Sequence, residues 1–281
     1  MRLLISAEES AGVQAVRSAR QSGHEVVAVL TTLDNAGSDR QGVTVESVAT
    51  RFGYPVRPAT LLKEAEFADT LKQESIDILL NVHSLHVADE NVVAAPRVGA
   101  FNLHPGPLPR YAGMNAPARA ILNGEFTHGV TLHWMEAGID TGDIAFQEMF
   151  DLSPNATVLD ISRSCVRLGI GLIKQLLATD PDQIPRTEQD LTRRTYYGFE
   201  CPFDGEIPWH SAEMVERFIR ACNYHPLPSP WGIPAVGNLG ILEVKRTGEP
   251  CEAPAGTLSE RGEKTFLATG DEWLELKRTV A

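Results

Sequence analysis

Short apolar runs alternate with amphipathic segments along the first part of the chain. The runs at residues 2–6, 24–32, 76–82 and 99–104 are rich in branched side chains, which predicts buried strands. The segments between them carry apolar residues at helical spacing; one of these, KEAEFADTLKQES (63–75), predicts a helix with one polar face. Strands that alternate with helices indicate an α/β fold with a doubly wound, mainly parallel sheet. Such sheets bind ligands beyond the carboxyl ends of their strands.

The pattern changes after a long amphipathic helix predicted at residues 157–179. Residues 180–204 are rich in proline and arginine and are typical of a linker. Residues 205–281 contain one amphipathic helix and then short strands separated by turn signals. We therefore predict a first domain over residues 1–179 and a smaller, mostly-β, barrel-like domain after the linker.

Composition and charge narrow the class of partner. Of the 281 residues, 43% are hydrophobic and 22% are charged, as in ordinary globular proteins. The sequence has no apolar run near the roughly 20 residues that span a bilayer, and its start, MRLLISAEES, does not resemble a signal peptide. The net charge of −12, without a run of basic residues, disfavours nucleic acid and anionic membranes as partners. A cytoplasmic location is expected.

The cysteines support the same compartment. Cys165, Cys201, Cys222 and Cys251 are widely spaced and form no C-x-x-C pair. This spacing favours reduced thiols in a cytosolic protein, with a structural disulfide as the alternative.

The loop after the first predicted strand, SAEESAG, is not a phosphate-binding loop. It lacks both G-x-G-x-x-G and the P-loop pattern, and it places Glu8 and Glu9 at the start of the following helix. Carboxylates suit the positive end of a helix dipole but repel phosphate, so we exclude a dinucleotide or nucleoside triphosphate site at this loop.

Five histidines within 51 residues raise the question of a metal site. Their spacing matches no standard pattern such as H-E-x-x-H, and no cysteine lies near them, so no metal is predicted. Scattered, half-buried imidazoles are the simpler interpretation for three of the five, His83, His86 and His128. The cluster consists of His83, His86, His104, His128 and His133.

Asn102 and His104 form a more specific candidate. They stand two residues apart at the end of a predicted strand, so their side chains share a face. Asp140, in the glycine-flanked loop AGIDTGD, reaches them if the two strands concerned are neighbours in the sheet. An amide donor, an imidazole and a carboxylate suit acyl transfer, because the amide stabilises an oxyanion and the carboxylate orients and charges the imidazole. The alternative is structural: Asn102 caps a turn, and His104 and Asp140 are ordinary loop residues.

At these residues the sequence resembles the formyltransferases that depend on formyltetrahydrofolate. The matching text is FNLHPGPLPRYAG, AILNGE, GVTLHWMEAGIDTGDI and IPWHSAEMVERFIRA, contiguous over residues 99–144 and weaker to about residue 247. The family pattern is Asn-x-His-Pro-x-x-Leu-Pro, then Asn-Gly-Glu, then Gly-Val-Thr-x-His-x-Met-x-x-x-x-Asp-x-Gly. The resemblance implies a formyltransferase catalytic domain over residues 1–179. It also implies that Asn102, His104 and Asp140 are catalytic.

The resemblance also implies 10-formyltetrahydrofolate as the formyl donor. Its pterin would lie between the segment that follows the strand at 76–82 and the loop around Asp140. The predicted donor-binding residues are Ser84, Leu85, His86, Val87, Ile139, Thr141 and Gly142.

For the acceptor we predict a small-molecule amine rather than tRNA. The tRNA enzymes of the family carry a basic insertion after the second strand, where this chain has the short LDNAGSDRQG. The basic side chains of the predicted linker, Arg186, Arg193 and Arg194, are offset by neighbouring acidic residues. Residues 223–232, with three aromatic side chains among prolines, either line the acceptor pocket or pack the two domains together.

Three other activities stay open from the sequence. They are methionyl-tRNA formyltransferase, a hydrolase that releases formate from the same donor, and a folate-binding module without catalysis. The resemblance implies that such hydrolases carry an extra domain before the first strand, whereas this sequence starts on that strand. The presence of Asn102, His104 and Asp140 favours catalysis over binding alone.

Overall fold

A computed structural model describes residues 1–33 and 42–280. Of the segment LDNAGSDRQG, residues 34–41 lie outside the described part. None of the described helices combines the length and apolarity needed to cross a membrane. The strands are β1 (Arg2–Ala7), β2 (Glu25–Thr31), β3 (Val56–Pro58), β4 (Ile78–Val82), β5 (Gly99–His104), β6 (Ala112–Gly113), β7 (Thr127–Trp134), β8 (Ile144–Asp151), β9 (Tyr196–Tyr197), β10 (Ala235–Val236), β11 (Leu239–Pro250), β12 (Leu258–Arg261), β13 (Lys264–Ala268) and β14 (Glu272–Val280). The α-helices are α1 (Glu9–Gln21), α2 (Val45–Arg51), α3 (Phe67–Gln73), α4 (Glu90–Ala94), α5 (Ala116–Leu122), α6 (Val158–Ala178) and α7 (Ala212–Cys222).

A seven-stranded sheet in the order β3-β2-β1-β4-β5-β7-β8 forms the centre of the fold. The first five strands of this order are parallel. Strand β7 pairs antiparallel with β5, and β8 is the edge strand beyond it. The doubly wound, mainly parallel sheet predicted from the sequence is therefore confirmed.

One face of this sheet is apolar in its middle and polar towards the carboxyl ends of its parallel strands. Leu4, Leu79 and Ala100 are register partners on β1, β4 and β5, and they belong to a core cluster that includes Phe67 and Leu71 of α3. Because side chains alternate along a strand, the residues two positions further on share the same face. Those residues are Ser6, Asn81 and Asn102.

The described chain forms two compact units whose segments alternate along the sequence. The first contains Met1–Gly113, Gly129–Met149 and Ser164–Tyr196, and the second contains Met114–His128, Phe150–Arg163 and Tyr197–Ala281. The second unit carries a five-stranded antiparallel sheet, in the order β10-β11-β14-β13-β12, with α7 packed on β11. The predicted mostly-β C-terminal architecture is therefore confirmed.

All four cysteines are free thiols. Cys165 and Cys222 are buried, and burial raises the pKa of each thiol to about 12, which keeps both protonated.

Candidate active site

Strand β5 presents Asn102 and His104 on one face of the sheet. Asn102 is half-buried, whereas His104 is only 3% exposed. Across the two adjacent strands, Asn102 pairs in register with Asn81 of β4 and with His133 of β7. Asn102 is therefore the more accessible of the two predicted catalytic residues on β5.

Asp140 lies in the loop that follows β7, the strand that pairs with β5. Because β7 is antiparallel to β5, Trp134 at its end pairs with Phe101, so the following loop leaves near the amino end of β5. The loop then turns back over the sheet, with Asp140 at a φ of 55°, a left-handed conformation that aspartate adopts more readily than most residues. The three residues predicted to be catalytic thus lie together.

The Asp140 carboxylate is the centre of the polar cluster. Oδ2 accepts a 2.8 Å hydrogen bond from the Gly113 N–H and lies 3.4 Å from Nδ1 of His104. Oδ1 accepts from Nδ2 of Asn102 at 3.3 Å and lies 3.3 Å from Nε2 of His133. Burial opposes ionisation of Asp140, but the two imidazoles and the Gly113 N–H together hold its pKa well below the ordinary range. Asp140 is therefore a buried, negatively charged group.

The backbone sets the tautomer of His104. Its Nε2 lies 2.7 Å from the carbonyl oxygen of Tyr111, which can only accept, so Nε2 carries a hydrogen. In the neutral ring the lone pair is then on Nδ1, beside Asp140. Burial lowers the pKa of His104, and the Asp140 carboxylate and the Tyr111 carbonyl oppose that shift. Neutral His104 can thus take up a proton on the atom that faces the carboxylate.

His133 is a member of the cluster that sequence reasoning did not select. Its Nδ1 lies 2.7 Å from the Trp134 carbonyl oxygen, so in the neutral ring Nε2 is the acceptor for Nδ2 of Asn102, at 3.1 Å. The sequence did contain a signal for His133, because the family pattern has a histidine at this position. Without the strand pairing, however, nothing connected it with Asn102 and Asp140.

The proline-rich loop after β5 is fixed by a buried threonine on β7. Thr131 donates from Oγ1 to the Gly106 carbonyl oxygen at 2.7 Å and accepts from the Leu108 N–H at 3.2 Å. Gly106 packs so closely on the site that an added Cβ would lie 2.6 Å from Nε2 of His104. This contact leaves no room for a side chain at residue 106.

The loop that carries Asp140 is held by the predicted linker. Gln189 is buried and donates from Nε2 to the carbonyl oxygens of Asp140, at 3.0 Å, and Gly142, at 2.6 Å. Arg194 donates to the carbonyl oxygen of Ile139 at 3.0 Å. Part of residues 180–204 therefore supports the site directly, and no sequence signal marked Gln189 for this role.

A cavity of about 480 Å³ opens at the amino end of β5. Its apolar lining includes Val93 of α4, Ala100 of β5, and Met135 and Ala137 of the loop after β7. Ala100 lies on the same face of β5 as Asn102, whereas Gly99 and Trp134, which also line the cavity, lie on the opposite face with Phe101. The volume lies within the range of small-molecule sites in proteins, roughly 300–1,000 Å³.

The predicted donor-binding residues lie in two loops. Ser84–Val87 follow β4, with Leu85 67% and Val87 63% exposed, and Ile139, Thr141 and Gly142 flank Asp140. Within the described part of the chain, the cavity is lined by their sequence neighbours and by none of these seven residues. Gly142 is closely packed, because an added Cβ would clash with the carbonyl oxygen of Trp134. The seven residues stay a prediction.

The other histidines of the sequence cluster are dispersed. His83 lies 3.4 Å from a carboxylate oxygen of Glu9, and its hydrogen bond lowers the pKa of that carboxyl. His86 is half-buried, and His128 is fully buried with its ring against Phe150. Among the residues that the structure describes, no three His, Cys, Asp or Glu side chains are arranged to hold a metal ion.

Comparison with known proteins identifies the family. A family model described as formyl transferase matches residues 1–175. The chain is 30% identical to the methionyl-tRNA formyltransferase of Moorella thermoacetica, over 95% of this chain and 87% of that protein. It is 33% identical to the one of Roseiflexus castenholzii, over 93% and 85%. The chain belongs to the formyl transferase family.

The fold of this formyl transferase also matches solved structures. An N-formyltransferase from Helicobacter canadensis, crystallised with folinic acid and dTDP-3-aminofucose, superposes with a TM-score of 0.75 at 20% identity, over 99% of both chains. The enzyme class predicted from the sequence, an N-formyltransferase, is confirmed.

Proposed function

We propose that this formyl transferase moves the formyl group of 10-formyltetrahydrofolate to the amine of a small acceptor. The observation that carries the proposal is the cluster at Asp140, where an ionised carboxylate adjoins two imidazoles and a half-buried amide. That arrangement contains an oxyanion donor and a proton acceptor, the two groups that formyl transfer to an amine requires.

The cavity at the amino end of β5 suits the donor. Its walls at Val93, Ala100, Met135 and Ala137 match a flat, largely apolar ring system, and Glu136 and Arg186 add polar groups at the lining. When bound there, 10-formyltetrahydrofolate supplies the activated formyl group. The relative from Helicobacter canadensis was crystallised with a folate derivative, which supports a folate donor here.

The residues of the cluster have different roles in the proposed reaction. The two N–H groups of Asn102 Nδ2 face His133 and Asp140, and during the reaction one of them turns to donate to the oxygen on which negative charge develops. The Asp140–His104 pair takes up the proton that the attacking amine loses, onto Nδ1 of His104. Asp140 then stabilises the imidazolium at 3.4 Å. When the bond between the formyl carbon and the donor nitrogen breaks, the pair returns a proton to that nitrogen, so tetrahydrofolate leaves as a neutral amine. The Gly113 N–H and the Gln189 amide keep Asp140 in place, so little reorganisation accompanies the reaction.

Charge supports a small acceptor. The net charge of −12 opposes a polyanion. Two of the three arginines in segment 180–204 have partners within the first compact unit: Arg186 stacks on Trp134 with its guanidinium carbon 3.6 Å from the ring centre, and Arg194 bonds the Ile139 carbonyl. An amino sugar, an amino acid or a biosynthetic intermediate is the acceptor class we propose.

Methionyl-tRNA is the second candidate acceptor. The relatives from Moorella thermoacetica and Roseiflexus castenholzii are methionyl-tRNA formyltransferases, and the similarity to them covers more than nine-tenths of this chain. We also propose that residues 1–179 form the catalytic domain, residues 180–204 a linker and residues 205–281 a smaller C-terminal domain.

The experiment is a transfer assay with 10-formyltetrahydrofolate and a panel of sugar amines, amino acids and methionyl-tRNA, read by mass spectrometry for one added formyl group. We expect a formylated small amine from the wild-type protein and loss of about 100-fold or more in turnover with Asn102→Ala. Asn155→Ala, at an exposed asparagine outside the cluster, is the matched control and should retain activity.

The other outcomes separate the alternatives. Formylation of methionyl-tRNA alone would assign the tRNA activity. Formate release without a formylated amine would indicate a hydrolase, and folate binding without either product would indicate a binding module.

A further inference from the structure

Strand β4 contains one polar side chain in an otherwise apolar, fully buried sequence, ILLNV. That residue, Asn81, is 7% exposed. It lies in register between Ser6 of β1 and Asn102 of β5, on the face that carries the active site. Burying an amide in such a strand costs free energy unless its polar atoms have partners.

Of the two polar atoms in the Asn81 side chain, only one has a hydrogen-bond partner among the described residues. Nδ2 donates to Oδ1 of Asn102 at 2.9 Å. Oδ1 is buried, and no hydrogen-bond partner for it occurs among the described residues. An apolar side chain would avoid this cost, so the contact with Asn102 is what the asparagine adds at this position.

Asp140 and Asn81 together determine which way the Asn102 amide faces. Asp140 is ionised and lies next to Nδ2 of Asn102, so the reversed amide would direct Oδ1 at a carboxylate. Asn81 accommodates Oδ1 on the other side and polarises the amide, which makes Nδ2 a stronger donor. The two amides therefore form a chain of donors that runs from Asn81 through Asn102 towards Asp140.

We propose that Asn81 is a positioning residue that orients and polarises the Asn102 amide for its role as oxyanion donor; this rests on the function proposed above. Asn81 contacts Asn102 and not the reacting atoms. Its substitution should lower kcat and leave KM for the formyl donor within about twofold.

The first test uses Asn81→Leu in two backgrounds. Alone, it leaves Oδ1 of Asn102 without a donor, and kcat should fall about tenfold, as expected for one lost hydrogen bond to a buried group. In the Asn102→Ala background it should cause no further loss, because the effect passes through Asn102. Ser6→Ala, at a buried register partner that also lacks a hydrogen-bond partner among the described residues, is the control and should leave kcat unchanged.

The second test is the pH dependence of Asn81→Asp, which keeps the shape of the side chain. An ionised carboxylate at this position would draw Nδ2 of Asn102 away from the site, whereas the protonated acid can donate to Oδ1 as the amide does. Burial raises the pKa of such a carboxyl. The ratio of variant to wild-type kcat should therefore rise as pH falls, which a purely structural role would not produce.

A third measurement does not need turnover. The side-chain amide resonances of Asn102 should shift in Asn81→Leu and Asn81→Asp and stay in place in Ser6→Ala. Equal losses of kcat from Asn81→Leu in both backgrounds, or unchanged kcat and resonances in a folded variant, would overturn the inference. An inactive wild-type protein whose Asn102 resonances still depend on Asn81 would instead count against the proposed function alone.

Discussion

Asp140 is the residue on which the charge of the site depends, because it faces His104 on one carboxylate oxygen and His133 on the other. An isosteric amide at this position removes the negative charge that favours a proton on His104. We expect Asp140→Asn to reduce kcat about 100-fold or more, measured by formyl transfer at saturating donor.

Asp143 gives a control in the same loop. It is partly exposed and lies 3.7 Å from Arg186, outside the cluster. Asp143→Asn should keep kcat within a few-fold of wild type. Equal losses of kcat in the two variants would show that the loop tolerates no substitution. The loss in Asp140→Asn would then not be evidence for a role of the negative charge.

His104 gives the pH prediction. Burial lowers its pKa below the ordinary 6.5, while the Asp140 carboxylate acts to raise it. The imidazole should therefore titrate below pH 6.5 and be neutral at physiological pH. Replacing Asp140 with asparagine removes the opposing effect, so the midpoint should move to still lower pH.

Nuclear magnetic resonance of the histidine rings across the pH range measures both midpoints, with the His104 signal assigned by its loss in His104→Gln. A midpoint above 6.5 in the wild-type protein would contradict the assignment of neutral His104 as the proton acceptor.

The loop after β5 acts through the close approach of its backbone to His104. In Gly106→Ala the new Cβ would lie 2.6 Å from Nε2 of His104 and 3.0 Å from the Tyr111 carbonyl oxygen, so the ring must move. We expect a loss of at least tenfold in kcat with the fold retained, measured by turnover and circular dichroism.

Gly171, in the middle of α6, is the comparison for this glycine. An added Cβ there meets nothing within 4 Å, and alanine favours a helix by roughly 1 kcal/mol. Gly171→Ala should leave kcat unchanged and raise Tm slightly. Full activity in Gly106→Ala would show that the ring position is not critical.

The segment before β9 acts through Gln189, whose amide bonds two carbonyl oxygens of the Asp140 loop. Gln189→Ala should loosen that loop, lower kcat about tenfold and raise KM for the formyl donor. Glu188→Ala, at the exposed neighbour, should change neither constant. Unchanged kinetics in Gln189→Ala would indicate that other contacts suffice to hold the loop.

The charge of the whole molecule gives a prediction about the acceptor. A protein of net charge −12 that acts on a small amine has no counterions to release from a nucleic acid. KM for the acceptor should therefore change less than about twofold between roughly 50 and 200 mM salt. A rise of about tenfold or more, measured with the same acceptor, would indicate phosphate contacts and favour tRNA.

The sequence by itself determined the fold class and part of the site. Apolar runs and helical periodicity are local properties, so β4, β5 and α6 were predicted close to their observed bounds. Asn102 and His104 share a face because alternation along a strand is also local. Local signals were weaker for helix starts: the helix predicted at 63–75 spans only Phe67–Gln73, since Ala59–Lys63 forms a 3-10 helix before it.

Only the tertiary structure decided which residues complete the site. Asp140 and His133 meet Asn102 because β7 pairs antiparallel with β5, and Gln189 contacts the Asp140 loop across 49 residues of chain. Contacts over such separations depend on how strands and loops assemble, which no local pattern encodes. The hydrogen bond from Asn81 to Asn102 has the same origin: two parallel strands, with the paired residues 21 positions apart in sequence, place the buried amide of Asn81 beside the amide of Asn102.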